Sequence, residues 1–263
     1  IKEITKIEVA GPGFINFFIS TASKVLILQE IMQKKDNYGK NELGCNKNLL
    51  LEFVSANPTG PLHVGHGRGA VFGDCLSNLL RFSGYNVTKE YYVNDAGKQI
   101  MILSLSVLYR YHELINENFK KFFKDFYQGD YIWDISAHLH REYGDIFFIE
   151  NLENIKLDDL DQTILEVKNN LKDKFETLRE ESVNYIIEDI NKTLVNIDVN
   201  FDNWYLESDL LRSDMLKKTL DKLESNNMIE KKDGALWFKS KDNSDDTDRA
   251  VSYTHLTLPT IAI

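Results

Sequence analysis

Leu49 to Gly69 reads LLLEFVSANPTGPLHVGHGRG, an apolar run broken by one acid and followed at once by four glycines, two prolines and two histidines three residues apart. Leu49 to Val54 has the pattern of a strand buried on both faces of a parallel sheet. Such a strand delivers its chain to the crevice at the carboxyl edge of the sheet, where open α/β folds bind ligands. After the glycine-rich turn, Val71, Cys75, Leu76, Leu79, Leu80 and Phe82 keep helical spacing until Gly84 stops them. Asn86 to Val93 then reads as the next strand, and Asp95 as the start of a second long helix reaching about Leu114. Strand, turn, helix, strand and helix make a βαβ unit, with a right-handed crossover and a parallel sheet as the default.

The turn itself carries chemistry. Gly65, Gly67 and Gly69 strip side chains from the first turn of the helix, so a planar base or a phosphate has access to the backbone, and the positive end of the helix favours an anion. His63 and His66 project to one side of that turn and can donate hydrogen bonds to phosphate oxygens. Pro58 and Pro61 fix the approach without adding donors. Each feature alone has an ordinary reading, since histidine pairs often decorate surfaces and glycines often serve packing. Together, after a buried strand, they favour a nucleotide site. The spacing fits neither the dinucleotide fingerprint nor the Walker A pattern.

Outward from this centre, Ile7 to Ala10 and Phe14 to Ser20 read as short strands around Gly11-Pro12-Gly13, and Thr21 as the cap of a helix to about Lys34 with Val25, Leu26, Leu28 and Ile31 on one face. Beyond Leu114 the chain turns rich in Glu, Asp, Lys and Asn. Ile164, Val167, Leu171 and Phe175, then Val183, Ile186, Ile187 and Ile190, keep amphipathic helical spacing, so a helical insertion is expected with solvated charge runs. Phe201 to Tyr205 returns to the sheet, Ser208 to Leu223 reads as a helix, and Met228 to Lys239 as a hairpin turning at Asp233-Gly234. The aromatics of DYIWD, Asp130 to Asp134, read as helix core before a base-stacking platform.

The 263 residues are 43% apolar and can bury a sizeable core, and their net charge of −10 argues against a surface wrapped in nucleic acid. Cys45 and Cys75 form no metal-spaced cluster and no disulfide framework, so neither zinc nor any other bound metal is expected and cytoplasmic thiols are. GFINFFIS is too short to span a membrane and lacks the flanks of a signal peptide. Ile1 in place of methionine reads as the interior of a longer protein.

HVGH, His63 to His66, resembles the HIGH signature of class I aminoacyl-tRNA synthetases, and EFVSANPTGPLHVGHGRGAVFGD is similar to its arginyl-tRNA synthetase form. AGPGFINF, EYYVNDAGKQI, YQGDYIWDI, FDNWYLES and DGALWFKS running on to DDTDR follow that family in order, over roughly Ile7 to Arg249. The resemblance implies an α/β fold with a Rossmann-like parallel-sheet catalytic domain, a helical insertion and the tail end of an N-terminal α+β domain. The implied organisation is residues 1–40 for that tail end, 41–114 for the first half of the catalytic domain, 115–200 for the insertion, 201–250 for its continuation and 251–263 for an atypical tail. It implies two-step chemistry: the carboxylate of L-arginine attacks the α-phosphate of ATP, which carries its Mg²⁺, and the arginyl group then passes to tRNA(Arg). His63 and His66 would act on the triphosphate as catalytic residues, with Gly65 and Gly67 beside them in the ATP site. Glu52, Ser55, Asn57 and Asp95 would hold arginine. Other readings stay open: a structural arginine partner for a buried Glu52, a turn-forming role for Asn57 and an N-cap for Asp95. A monomer is expected.

Two features depart from the family. No KMSKS-like loop follows, KSKDNSDD at Lys239 to Asp246 being too acidic, and no anticodon-binding domain is present. After Arg249, AVSYTHLTLPTIAI carries no Asp, Glu, Lys or Arg in a chain that is 27% charged by those four residues, and reads as a foreign tail in preference to a buried strand. The expected chain is thus an incomplete arginine-tRNA ligase, with a non-catalytic nucleotide- or tRNA-binding fragment or paralogue, or another HxGH nucleotidyltransferase, as the alternatives.

Overall fold

The computed structural model describes residues 3–121, 123–155, 159–232, 235–240 and 249–253. By contacts the chain divides into two units, Ile1–Leu49 with Asn78–Val87, and Leu50–Ser77 with Thr88–Ile263.

In the first unit, β1 (Ile4–Ala10) and β2 (Phe14–Ile19) pair antiparallel around Gly11-Pro12-Gly13, whose glycines adopt φ values of 59° and 91° that a side chain would oppose. Helix α1 (Thr21–Lys34) is capped by Ser20, not Thr21: Ser20 is extended and its hydroxyl accepts the Ser23 N–H at 3.1 Å, while Thr21 is already helical. The apolar stripe Val25, Leu26, Leu28 and Ile31 is exposed. The loop after α1 is tied to the residues around Gly84 by Gly44 N–H to Ser83 O and Asn46 N–H to Gly84 O, both 2.8 Å.

Strand β3 (Asn48–Glu52), helix α2 (Val64–Phe82) and strand β4 (Asn86–Val93) form the expected βαβ unit. The sheet order is β3-β4-β5, with β5 at Asn203–Leu206, so the described sheet has β3 at an edge. Pairing of β4 with β5 is parallel, from Glu90 opposite Asn203 to Val93 opposite Leu206. Asn86 N–H to Lys47 O and Phe53 N–H to Glu90 O advance together along β3 and β4, which therefore also run the same way. The edge position corrects the expectation of a strand buried on both faces: Leu50 is 63% exposed and Glu52 is exposed, because only alternate side chains of β3 turn toward the packed face. Central β4 alternates more sharply, burying Val87, Lys89, Tyr91 and Val93. The buried Lys89 ammonium is paired with Asp74 on α2 at 2.8 Å.

Helix α3 spans Lys98–Ile115, three residues later than expected. Gly97, at φ 85°, opens it, while Asp95 is used elsewhere. Helices α4 (Asp130–Tyr143), α5 (Leu160–Leu171) and α6 (Asp173–Val195) follow. Helices α4 and α6 pack on α3 and α5 packs on α6: Leu103, Leu108, Ile135, Leu139, Val167, Leu171, Phe175, Val183, Ile186 and Ile190 are buried in one cluster, with Ile164 and Ile187 packed against it. The helical periodicity read from the sequence thus identified the core of this part.

After β5 come α7 (Glu207–Arg212) and α8 (Asp214–Ser225), then β6 (Ile229–Lys232), β7 (Ala235–Phe238) and β8 (Arg249–Tyr253) in an antiparallel sheet. The expected turn at Asp233-Gly234 lies outside the described residues, as does most of KSKDNSDD. Residues 251–253 of the uncharged tail belong to β8, and 254–263 lie outside the described residues. No helix among the described residues is long and apolar enough to cross a membrane. Cys45 and Cys75 are both free and exposed.

Two buried polar groups generate tests. His112 on α3 is buried and its Nε2 accepts the Ile149 N–H at 3.1 Å, while burial pushes its pKa from 6.5 down to about 4. The unfolded chain therefore binds a proton that the folded chain refuses between pH 6.5 and 4, so stability is full above 6.5 and falls by about 3 kcal/mol toward pH 4. Urea unfolding at a series of pH values checks this, and His112→Gln, which keeps an acceptor for Ile149, is expected to flatten the slope in that window. The buried Tyr109 hydroxyl has no hydrogen-bond partner among the described residues. Tyr109→Phe is therefore expected to leave stability unchanged or raise it by roughly 1 kcal/mol, measured in the same titration at pH 7.

Candidate active site

At the end of β3 the chain must leave the sheet and reach the start of α2. It does so through two left-handed residues, Val54 at φ 65° and Ser55 at φ 39°. A β-branched residue in this region costs on the order of 1–3 kcal/mol and persists only where neighbours hold it. Here the Ser55 hydroxyl accepts the Tyr92 N–H of β4 at 3.1 Å, and the Tyr91 phenol donates to the Ala56 carbonyl at 3.0 Å. Asn57 donates from Nδ2 to Gln99 Oε1 at 2.7 Å. Behind the turn, α2 packs directly on Phe53: a Cβ added to Gly73 would fall 2.2 Å from the ring.

His63 and His66 meet at the start of α2, their rings stacked with centroids 3.7 Å apart and planes at 18°. Nδ1 of His63 accepts the Gly65 N–H at 3.1 Å, and Nδ1 of His66 accepts the His63 N–H at 3.3 Å. Both Nδ1 lone pairs are thus committed to backbone donors, which assigns the ring proton of each neutral imidazole to Nε2. Burial, with the neighbouring His63 second, lowers the His66 pKa below 6.5, so His66 is a neutral donor at pH 7. Gly65 serves the pair itself, since a Cβ there would sit 2.9 Å from His63 Cε1. The open space lies over Gly67 and Gly69, where an added Cβ meets nothing within 4 Å.

A second cluster forms at the carboxyl ends of β4 and β5. Asp95, only 6% exposed, is not the cap of α3; its Oδ1 accepts the Ser208 N–H of α7 at 2.8 Å, and its carbonyl accepts Arg179 Nη1 at 3.1 Å. Glu207, 9% exposed, follows β5 directly, and burial, then Asp95, raises its carboxyl pKa. Asn94, with its amide turned to meet acceptors, donates to Ala96 O at 3.0 Å and to Glu207 Oε2 at 2.6 Å. The rings of Tyr92 and Tyr205 stack with centroids 5.9 Å apart. Burial first, then Glu207, Tyr205, Asp95 and Glu52, pushes the Tyr92 phenol up to about 12. Three carboxylates therefore act on one phenol, and two of them are buried side by side, an arrangement that a cation would relieve.

Of the sequence-read residues, His63, His66 and Gly65 come together as one unit, while Glu52 and Asp95 share the field around Tyr92 and Ser55 bonds to the backbone of that tyrosine. The anticipated burial of Glu52 does not occur, and with it goes the need for a structural arginine. Glu207 escaped the sequence reading, although its position just past the aromatic strand FDNWYL parallels those of Glu52 and Asp95.

Residues 27–252 match the family model for tRNA synthetases class I (R), catalytic domain. The chain belongs to that family. It is 40% identical over 261 residues to the arginine–tRNA ligase of Thioalkalivibrio sulfidiphilus, covering 94% of this chain and 44% of that protein, and 40% identical over 263 residues to that of Coxiella burnetii, covering 95% and 44%. Among solved structures, an arginyl-tRNA synthetase from Campylobacter jejuni superposes with a TM-score of 0.73 at 30% identity, covering 90% of this chain and 49% of that one. The Thermus thermophilus arginyl-tRNA synthetase, at 22% identity and TM-score 0.62, shares the fold. This class I (R) chain spans under half the length of the curated relatives it matches.

Because α2 rests on Phe53 through Gly73, Gly73→Ala is expected to destabilise the chain by about 1–3 kcal/mol. Thermal unfolding measures it.

Proposed function

We propose that this chain carries the ATP- and arginine-binding part of an arginine–tRNA ligase. ATP enters with its Mg²⁺ as substrate, the carboxylate oxygen of L-arginine attacks the α-phosphorus, the bond to the bridging oxygen breaks and pyrophosphate leaves with that electron pair. The chain's task is to position and to stabilise charge. His63 and His66 offer two Nε2–H donors at the positive end of a 19-residue helix, where negative charge on the phosphates is best met. Gly67 and Gly69 leave that approach open. Glu207 and Asp95, with Glu52 beyond Tyr92, form the anionic partner that a guanidinium or α-ammonium group requires. Ser55 and Asn57 belong to the turn that joins the two clusters along the chain, with Ser55 tied to Tyr92.

The carrying observation is this pairing of chemistries at the carboxyl edge of one sheet: imidazole donors after β3, buried carboxylates after β4 and β5. A different HxGH nucleotidyltransferase would have no use for the second cluster. Transfer to tRNA(Arg) belongs to the whole protein, as does the full reaction.

Arginine-dependent ATP/pyrophosphate exchange tests the reading, on this chain and on the chain joined to its natural continuation. The longer protein is expected to be active and this chain inactive. In the longer protein His66→Ala should lower the exchange rate about 100- to 1,000-fold while the melting temperature stays near that of the parent. Glu207→Gln should raise KM for arginine roughly 10- to 100-fold and leave KM for ATP in place. An ATP effect of equal size would exclude Glu207 from arginine binding.

A further inference from the structure

The stretch YQGDY, Tyr127 to Tyr131, lies at the entry to α4 and contacts the turn that precedes the histidines. The Tyr131 phenol donates to the Thr59 carbonyl at 2.7 Å. Its ring is admitted by two glycines: a Cβ on Gly60 would stand 3.1 Å from Tyr131 Cζ and Oη, and one on Gly129 would stand 2.4 Å from its Cε1. The segment leading into α4 is itself fixed, since the Tyr127 N–H donates to Ser106 Oγ on α3 at 2.9 Å. Thr59 is therefore held through its carbonyl by Tyr131, while its own N–H bonds the Asn57 carbonyl at 2.8 Å. Pro58 beside it is buried.

Only Gly60, Pro61 and Leu62 separate Thr59 from His63, and Pro61 removes one of the few free torsions on the way. A shift at Thr59 is thus carried to the His63 backbone, whose N–H holds Nδ1 of His66, and to the His63 ring, which holds the Gly65 N–H. The geometry points to Tyr131 as a positioning residue that clamps Thr59 and thereby holds the two histidines in their stacked, Nε2-protonated arrangement. This inference rests on the proposed function for its catalytic consequence, but not for its structural content. It gives α4 a role in the site that no motif around the histidines announces: the helical part fixes the loop from outside the βαβ unit.

Tyr131→Phe removes the hydroxyl and keeps the ring. In this chain, long-range ¹⁵N NMR of the imidazoles is expected to show one tautomer for His63 and His66, and a shift toward averaged tautomers in the variant, with the melting temperature lowered by no more than about 2–4 °C. In the chain joined to its natural continuation, the variant is expected to lower kcat for pyrophosphate exchange about 10- to 100-fold, with KM for arginine within twofold. Unchanged imidazole signals in the variant would overturn the clamp whatever happens to exchange. Altered signals with full kcat would overturn its catalytic consequence. Absence of exchange in the unsubstituted longer protein would count against the proposed function alone, because the imidazole signals still decide the clamp.

Discussion

Everything at the site depends on the turn at Val54 and Ser55. A parallel strand must end, reverse its course and start a helix within a dozen residues, and it does so here through two left-handed conformations that neither residue prefers. The Tyr92 N–H, just inside the end of β4, supplies the hydrogen bond that holds Ser55, and Tyr91 supplies the one that holds Ala56. The strain is local; its compensation comes from the neighbouring strand. Phe53 then packs against Phe201 with centroids 4.5 Å apart and planes tilted by 36°, and lies under Gly73, so the turn, the approach to β5 and α2 meet at the same ring. Placed this way, His63 sits where its ring can both receive an amide and stack on His66.

Charge is treated in two opposite ways around this sheet. On one face Lys89 is buried and paired with Asp74, so neither ion is left uncompensated. At the carboxyl edge Asp95 and Glu207 are buried together with backbone and amide donors rather than, among the described residues, a paired side-chain cation on their carboxylates, and burial, then Asp95, raises the cost of ionising Glu207. The first arrangement holds strand and helix together. The second stores unfavourable charge where an incoming cation would release it, which is why the edge, and not the buried pair, is read as the binding surface.

Much of the fold was legible. The βαβ unit, the strand Asn86–Val93 and the helical faces of α5 and α6 follow from periodicities that depend only on local geometry. HVGH with its flanking glycines marked one half of the candidate site for the same reason, as a rare composition in a short window. Three readings failed where position in the sheet mattered. Leu49 to Val54 was apolar enough for a central strand but occupies an edge in the described sheet; Asp95 lay where a helix cap belongs but serves α7 across the chain; and Glu207 was one acid among many until β5 brought it beside Asp95.

The sequence by itself determined the elements, their order and the chemistry of the histidine turn, because these rest on neighbours within a few residues. Only the tertiary structure decided which carboxylates meet, which protons the histidines carry and what holds the loop between them. Those are set by contacts such as Tyr131 to Thr59 and Asp95 to Ser208, which lie 72 and 113 residues apart in the chain and leave no periodic trace in it.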